Sequence, residues 1–322
     1  MTRWGILGLG RIAHKFVQDL LTVEGAVLHA VAASDQERAN EFGNQYGATH
    51  CYGSYEQLLT CPDLDVVYIA TRHVHHRDNT LMLLNEGIPV LCEKPFGMDA
   101  GEVNQMVETA RNKNVFLMEA LWSRFMPTIL KAHDLIQSGA IGRVRMVRAD
   151  FGFPAPFSPD GRLFNKELGG GALLDIGIYP LLLSYLMLGK PTKIRAAATF
   201  GPTGVDEQCG ITLTYEDGAI AILDSTLLVK TDMVGVVYGE TGTIRIRGRF
   251  HESQAMSLER EEGQEPEVFT AERQSFGYEY EIRHVMQCLT EGRTESPLWT
   301  LDNSLDLIGL LDGVRAEAGI NY

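Results

Sequence analysis

Apolar residues follow two rhythms along this chain. Up to Leu117, short continuous apolar runs alternate with stretches of helical spacing. Strands are expected at 4–7, 27–33, 49–52, 66–70, 90–92 and 115–117, and helices at 12–21, 36–46, 55–59, 79–85 and 100–113. Strands and helices in that order build a parallel sheet with right-handed crossovers, so the first domain is expected to be doubly wound α/β.

From Gly142 the texture changes to longer alternating runs, at 144–151, 193–200, 209–215, 219–228, 233–238 and 243–247. Glu216-Asp217-Gly218 and Glu240-Thr241-Gly242 supply turns, as in an antiparallel meander. Helices are expected at 172–188, 278–291 and 300–318. The fold class is therefore α/β: a Rossmann domain over 1–120, then an α/β domain over 121–322 with a large open, mostly antiparallel sheet. Whether the last helix packs back on the first domain is left open.

Composition narrows the field. With 45% apolar and 22% charged residues the chain is globular throughout, and a net charge of −14 with a pI near 5.1 repels a phosphate backbone, which argues against nucleic acid. The most apolar stretch, 177–188, contains Pro180 and falls short of the roughly 18 uninterrupted apolar residues of a membrane span. No signal peptide is read at the N-terminus. Five scattered cysteines without a C-x-x-C pair suit free thiols in a reducing cytoplasm.

Three constellations carry candidate chemistry. Gly8-Leu9-Gly10-Arg11-Ile12-Ala13 fits G-x-G-x-x-G/A between a strand and a helix: Gly8 for the turn, Gly10 for close approach of a pyrophosphate, Ala13 for helix packing. At the end of the second strand, Asp35 suits a ribose 2′-hydroxyl, whereas Ser34 with Arg38 suits a 2′-phosphate; Asp35 or Ser34 could equally cap the following helix.

Glu93-Lys94-Pro95 lies at the carboxyl end of a strand, where open α/β sheets bind ligands, and Lys94 there could hydrogen-bond a substrate oxygen. Read alone, the tripeptide could equally be a solvated turn. Finally, Gly169-Gly170-Gly171 leads toward Asp175 and Tyr179, four residues apart on one helix face. A tyrosine with an ordinary pKa of about 10 needs a nearby cation to exchange protons near neutrality, and Lys94 is the candidate. The bland alternatives are a core tyrosine and a capping aspartate.

These motifs, with Cys92 to Gly97, Leu117 to Pro127, Gly170 to Tyr179 and Glu295-Ser296-Pro297, resemble the glucose-fructose oxidoreductase, inositol dehydrogenase and MocA superfamily. Within it the chain looks like the dimeric dihydrodiol dehydrogenase and NADP-dependent xylose dehydrogenase branch. The resemblance implies hydride transfer between NAD(P) and a secondary alcohol or lactol carbon of a sugar or trans-dihydrodiol. Tyr179 would be the general acid/base, Lys94 would tune it and hold the substrate oxygen, and Asp175 would orient substrate or lysine.

The resemblance also implies cofactor contacts from Gly8, Leu9, Gly10, Arg11, Ile12, Thr71, Arg72, His73, His76, Glu93 and Lys94. Trp122 and Arg124 match a motif beside nicotinamide and substrate, and Phe151 matches a wall of the substrate pocket. NADP-using relatives carry an arginine where this chain has Ser34, and Arg38 keeps a matching charge, so the reading leans to NADP with NAD still open. No metal is expected, His73, His75 and His76 being read as a loop beside the cofactor. A homodimer built through the open sheet is expected, with apolar Ile211, Leu213, Tyr215, Ile220 and Ile222 needing cover. The rival readings are an NAD-dependent glycosidase on the same fold and a nicotinamide-binding sensor without turnover.

Overall fold

The computed structural model describes residues 1–260 and 263–322 and divides into two compact units: Met1–Trp122 with Arg273–Leu305, and Ser123–Glu272 with Asp306–Tyr322. The stretch Arg273–Leu305 thus groups with the first unit, and the last helix straddles the division.

The first unit holds strands β1 (Thr2–Leu7), β2 (Ala26–Ala32), β3 (His50–Tyr52), β4 (Val66–Ile69), β5 (Val90–Glu93) and β6 (Leu117–Ala120). Its helices are α1 (Arg11–Leu20), α2 (Gln36–Tyr46), α3 (His76–Asn85) and α4 (Ala100–Lys113). The six strands run parallel in the order β3-β2-β1-β4-β5-β6, the doubly wound arrangement whose switch point lies between β1 and β4.

Successive residues Ile6 and Leu7 are both inaccessible, as are Val66 to Ile69, because helices cover both faces of such a sheet. Phe16 of α1 stacks on Tyr68 of β4 with centroids 3.6 Å apart. The last strand begins two residues later than its apolar run predicts. Asn114 is left-handed (φ 55) and the Val115 N–H closes the end of α4 on the Ala110 carbonyl, so pairing cannot start there. Residues 55–59 make a short 3-10 turn, Glu56–Thr60, in place of an α-helix.

The second unit begins with α5 (Pro127–Gln137), a helix not expected from the apolar pattern, with Pro127 in its first turn. Then come β7 (Val144–Gly152), α6 (Ile178–Leu188), β8 (Lys193–Phe200), β9 (Asp206–Thr214), β10 (Ile220–Thr226), β11 (Gly235–Gly239), β12 (Thr243–Ile246), β13 (Ala255–Glu259) and β14 (Glu267–Thr270). Two further helices follow in the chain, α7 (Glu279–Thr290) in the first unit and α8 (Leu301–Ala318) across both.

The sheet order is β14-β13-β12-β11-β7-β10-β9-β8, antiparallel except for the β7–β10 pair. One face packs on α6. Ile211 and Leu213 of β9 lie opposite Leu223 and Ala221 of β10, and these four are buried with Tyr215. The expectation that all five apolar residues need cover is thus corrected: Ile211, Leu213 and Tyr215 already have it within the chain, Ile220 is half-buried, and Ile222, 41% exposed on the face opposite Ile211 and Leu213, does not.

The expected helix 172–188 is two pieces. A π-helical turn, Leu173–Gly177, runs into α6, which places Pro180 in the first turn of α6, where its missing N–H costs least. The stretch Lys166–Leu188 is apolar and long enough to cross a membrane by composition alone. Its most apolar window is 83% buried inside the protein, so its side chains fill the core.

Candidate active site

The turn after β1 is shaped by one close approach and one open space. Gly8 has φ 93, and a Cβ there would stand 2.8 Å from Thr71 Cγ2 and 2.9 Å from the Thr71 nitrogen, so only glycine lets β1 and the end of β4 meet at the switch point. At Gly10 a Cβ would meet nothing within 4 Å among the described residues. Gly10 is the N-cap of α1, with no side-chain cap and no acid in the first turn. The first N–H groups of α1 therefore face that space with the positive end of the helix dipole. This cradle fits a dinucleotide pyrophosphate. Leu9 and Ala13 are buried, Ile12 is half-buried and Arg11 is exposed.

At the end of β2, Asp35 caps α2, accepting the Arg38 N–H at 2.9 Å. The Arg38 guanidinium donates to Ser34 Oγ at 3.4 Å, so a hydroxyl and a cation stand together on the surface there. Past β4, Arg72 is exposed and His73 half-buried, while His76 is inaccessible. The His76 ring lies between two carbonyls, Nδ1 at 2.8 Å from Pro95 and Nε2 at 3.2 Å from Thr71. Burial, opposed by those carbonyls, lowers its pKa to about 4, so the ring is neutral and its single proton favours the shorter contact, to Pro95. His76 thereby ties the first turn of α3 to the Lys94-Pro95 turn.

Glu93 ends β5 and is 6% exposed. Its Oε1 accepts from the Tyr68 hydroxyl and its Oε2 from the Lys94 N–H at 3.1 Å, which fixes the backbone that presents the half-buried Lys94. On the next strand, Glu119 accepts the Phe96 N–H at 3.1 Å and the Trp299 indole N–H at 3.3 Å, and burial raises its pKa to about 7. Glu281 of α7 is inaccessible, and among the described residues neither of its carboxylate oxygens has a hydrogen-bond partner. Burial, then the charges of Glu93 and Asp19, push its pKa well up. Trp122, 6% exposed, lies with its ring 4.8 Å from that of Tyr278.

In the second unit, the glycine run 169–171 is packed shut. A Cβ on Gly170 would stand 2.8 Å from the Asn165 carbonyl, and one on Gly171 (φ 128) 2.1 Å from Asp206 Oδ1. Asp206 accepts the Leu173 N–H at 2.7 Å and the Tyr322 hydroxyl at 3.1 Å, and burial raises its pKa to about 6.

Beyond that run, Asp175 is gripped by both ends of the Arg162 guanidinium, at 2.7 and 3.3 Å. Tyr179, 7% exposed, sits in a ring cluster: Phe151 at 5.5 Å, His251 at 4.9 Å, and Phe151 stacked on His251 at 4.3 Å. Arg124 is buried, and burial lowers its pKa.

Within the first unit, the structure brings together Gly8, Thr71, His76, Glu93 and Lys94. Within the second it brings Tyr179 to Phe151 and gives Asp175 the partner Arg162. Sequence reading missed Tyr68, Glu119, Arg162, Asp206, His251 and Glu281. Glu119 stood inside a quoted motif, but the others carry no local signal.

A parallel sheet in this order, with an uncapped helix behind a glycine turn at its switch point, defines a dinucleotide-binding α/β protein. Residues 2–121 match the oxidoreductase family with NAD-binding Rossmann fold, and residues 129–245 match the GFO/IDH/MocA C-terminal domain. Across 330 residues the chain is 39% identical to trans-1,2-dihydrobenzene-1,2-diol dehydrogenase of Xenopus laevis, covering 100% of this chain and 99% of the relative. Its human counterpart is 34% identical over 329 residues, covering 99% and 98%.

Among solved structures, the aldose-aldose oxidoreductase of Caulobacter crescentus superposes with a TM-score of 0.90 at 27% identity, covering 99% of this chain and 97% of that one. A 3-ketoreductase from Actinomadura kijaniata in complex with NADP and TDP-benzene gives 0.88 at 27%, covering 98% of each. The chain belongs to the GFO/IDH/MocA oxidoreductase family, and it is an NAD(P)-dependent dehydrogenase acting on CH–OH groups.

Proposed function

We propose that this protein oxidises a secondary alcohol or lactol carbon of a trans-dihydrodiol or sugar, with NADP as the preferred hydride acceptor. What supports the reading is the local setting of each candidate proton-handling group within its own unit. Lys94 is presented at the carboxyl end of a Rossmann strand by Glu93, and Tyr179 is buried in a fixed ring cluster.

NADP supplies the hydride acceptor at its nicotinamide carbon. Tyr179 Oη would take the proton of the substrate hydroxyl as the C–H bond breaks, and Lys94, in the role the resemblance gives it at the substrate oxygen, would favour the phenolate that must receive it. The proton then passes to solvent, so the balance is alcohol plus NADP⁺ to carbonyl plus NADPH plus H⁺. Asp175, held by Arg162, orients substrate or lysine. Trp122, Arg124 and Phe151 would border nicotinamide and substrate, and Gly8 to Ile12, Thr71, Arg72, His73, His76 and Glu93 would hold the dinucleotide.

The lean to NADP rests on the Ser34 and Arg38 pair, which offers a 2′-phosphate a hydroxyl and a cation, while Asp35 is engaged in capping α2. Arg38→Ala is expected to weaken NADP binding about tenfold or more, with NAD little changed. We place the protein in the reducing cytoplasm, consistent with five free cysteines, and as a homodimer through the outer sheet face that exposes Ile222. Sedimentation of Ile222→Glu tests that assembly: a monomer supports it, and an unchanged mass overturns it.

The test of the reaction is turnover of trans-dihydrodiols and aldoses with each nicotinamide, repeated on Lys94→Met and Tyr179→Phe. Each variant is expected to lose on the order of 10²-fold or more in kcat while still binding dinucleotide. Full activity in both overturns the catalytic assignment. Binding without turnover by the unaltered protein would favour a sensor, and leaving-group release from aryl glycosides without net change in nicotinamide absorbance would favour a glycosidase.

A further inference from the structure

Apart from the dinucleotide cradle, the first unit gathers a second set of donors at its sheet edge. His29 on β2, His50 on the terminal strand β3 and Cys61, just past the Glu56–Thr60 turn, each bring one ligand atom to within 4.8 Å of the others. The two imidazole rings meet edge to face with centroids 4.9 Å apart. All three residues are partly exposed, so an ion from solvent can reach them.

The surroundings fit a metal better than a chance contact. His29 Nε2 lies 3.0 Å from the Pro62 carbonyl. A carbonyl only accepts, so the neutral ring keeps its proton on Nε2 and leaves the Nδ1 lone pair available, the outer hydrogen bond that metal-binding histidines typically carry. Cys61 supplies a thiol that a cation can deprotonate. Two imidazoles and a thiolate are a borderline-soft set that suits Zn²⁺, and three protein donors leave a fourth tetrahedral position for water. Ligands at about 2.0–2.3 Å from zinc lie closer together than the present spread, so binding the ion requires the side chains to rotate inward.

We propose that His29, His50 and Cys61 form a zinc-class cation site. Its role is structural: it clips the edge strand β3 and the Glu56–Thr60 turn to β2, and it takes no part in hydride transfer.

The test uses the tag-free, metal-stripped full-length chain titrated with Co²⁺, whose thiolate complexes absorb strongly in the near-ultraviolet. One equivalent per chain should produce the thiolate-to-cobalt band, and Zn²⁺ should abolish it one for one. Cys61→Ser should lose the band, and Cys51→Ser, which alters the other partly exposed thiol, should keep it. His50→Gln should weaken Co²⁺ binding at least tenfold. Cobalt binding by the unaltered chain without a thiolate band, or an equal band in Cys61→Ser, overturns the site. Because the decisive spectrum is that of the unaltered protein, a variant that folds poorly cannot rescue the proposal.

Discussion

The turns at Gly8–Gly10 and Gly169–Gly171 each lead a glycine run toward a helix, and on paper both invite an anion. In the first, a side chain at Gly10 would project into empty space and the helix behind it begins without a cap. In the second, a side chain would strike Asn165 or Asp206, and the Asp206 carboxylate already takes the Leu173 N–H. Glycine serves a ligand in one place and the protein's own packing in the other. What tells them apart is whether the donors at the helix start are already taken.

Substitutions should break this contrast unevenly. The largest effect is expected for Gly171→Ala, which forces a left-handed backbone on alanine and drives its Cβ into the buried Asp206. We expect a loss of about 3–5 kcal/mol, read as a shift in the urea midpoint.

Next is Asp206→Asn. Burial raises the Asp206 pKa from 3.8 to about 6, so the folded unit holds that proton more tightly than the unfolded chain does. The stability gained is full below about pH 3.8 and is lost as pH rises through about 6. The difference between the unaltered protein and Asp206→Asn should therefore change by up to about 3 kcal/mol across that window, measured as unfolding free energy against pH. A flat difference curve would mean that the carboxylate is paired well enough to ionise at no cost.

The smallest stability effect is expected for Gly10→Val, whose backbone (φ −86) any residue accepts. Stability should stay within about 0.5 kcal/mol while dinucleotide binding weakens at least tenfold, read by fluorescence titration of the reduced cofactor. Unchanged affinity would mean that the cradle is not where the pyrophosphate lies.

The same contrast explains what could be read from the sequence. The first β-turn-α unit is local: strand, turn, the start of the helix and the packing alanine lie within thirteen consecutive residues, and the crossover rule then sets the hand of the connections. Ser34, Arg38, Glu93 and Lys94 stood out as candidates because strand ends are where such sheets bind.

Arg162 on Asp175 and His251 against Tyr179 were not legible, because each partner arrives from a different loop with no periodicity to announce it. The parallel neighbours β7 and β10 lie far apart in sequence, so the alternating pattern fixed the faces of those strands but not their order. β14, edge-lying and mostly exposed, has no apolar alternation to detect.

The closure of the first unit by Arg273–Leu305 bears on how the protein comes off the ribosome. Asp19 on α1 accepts the backbone N–H groups of Phe276, Gly277 and Tyr278 at 2.7–3.1 Å, and the Leu117 N–H pairs with the Thr294 carbonyl. A nascent chain that has just released residue 122 carries a buried acid whose donors do not yet exist. The nucleotide-binding half must then wait, half-finished, for almost the entire remainder of translation, and a gene truncated at that apparent boundary should yield a poorly folded fragment.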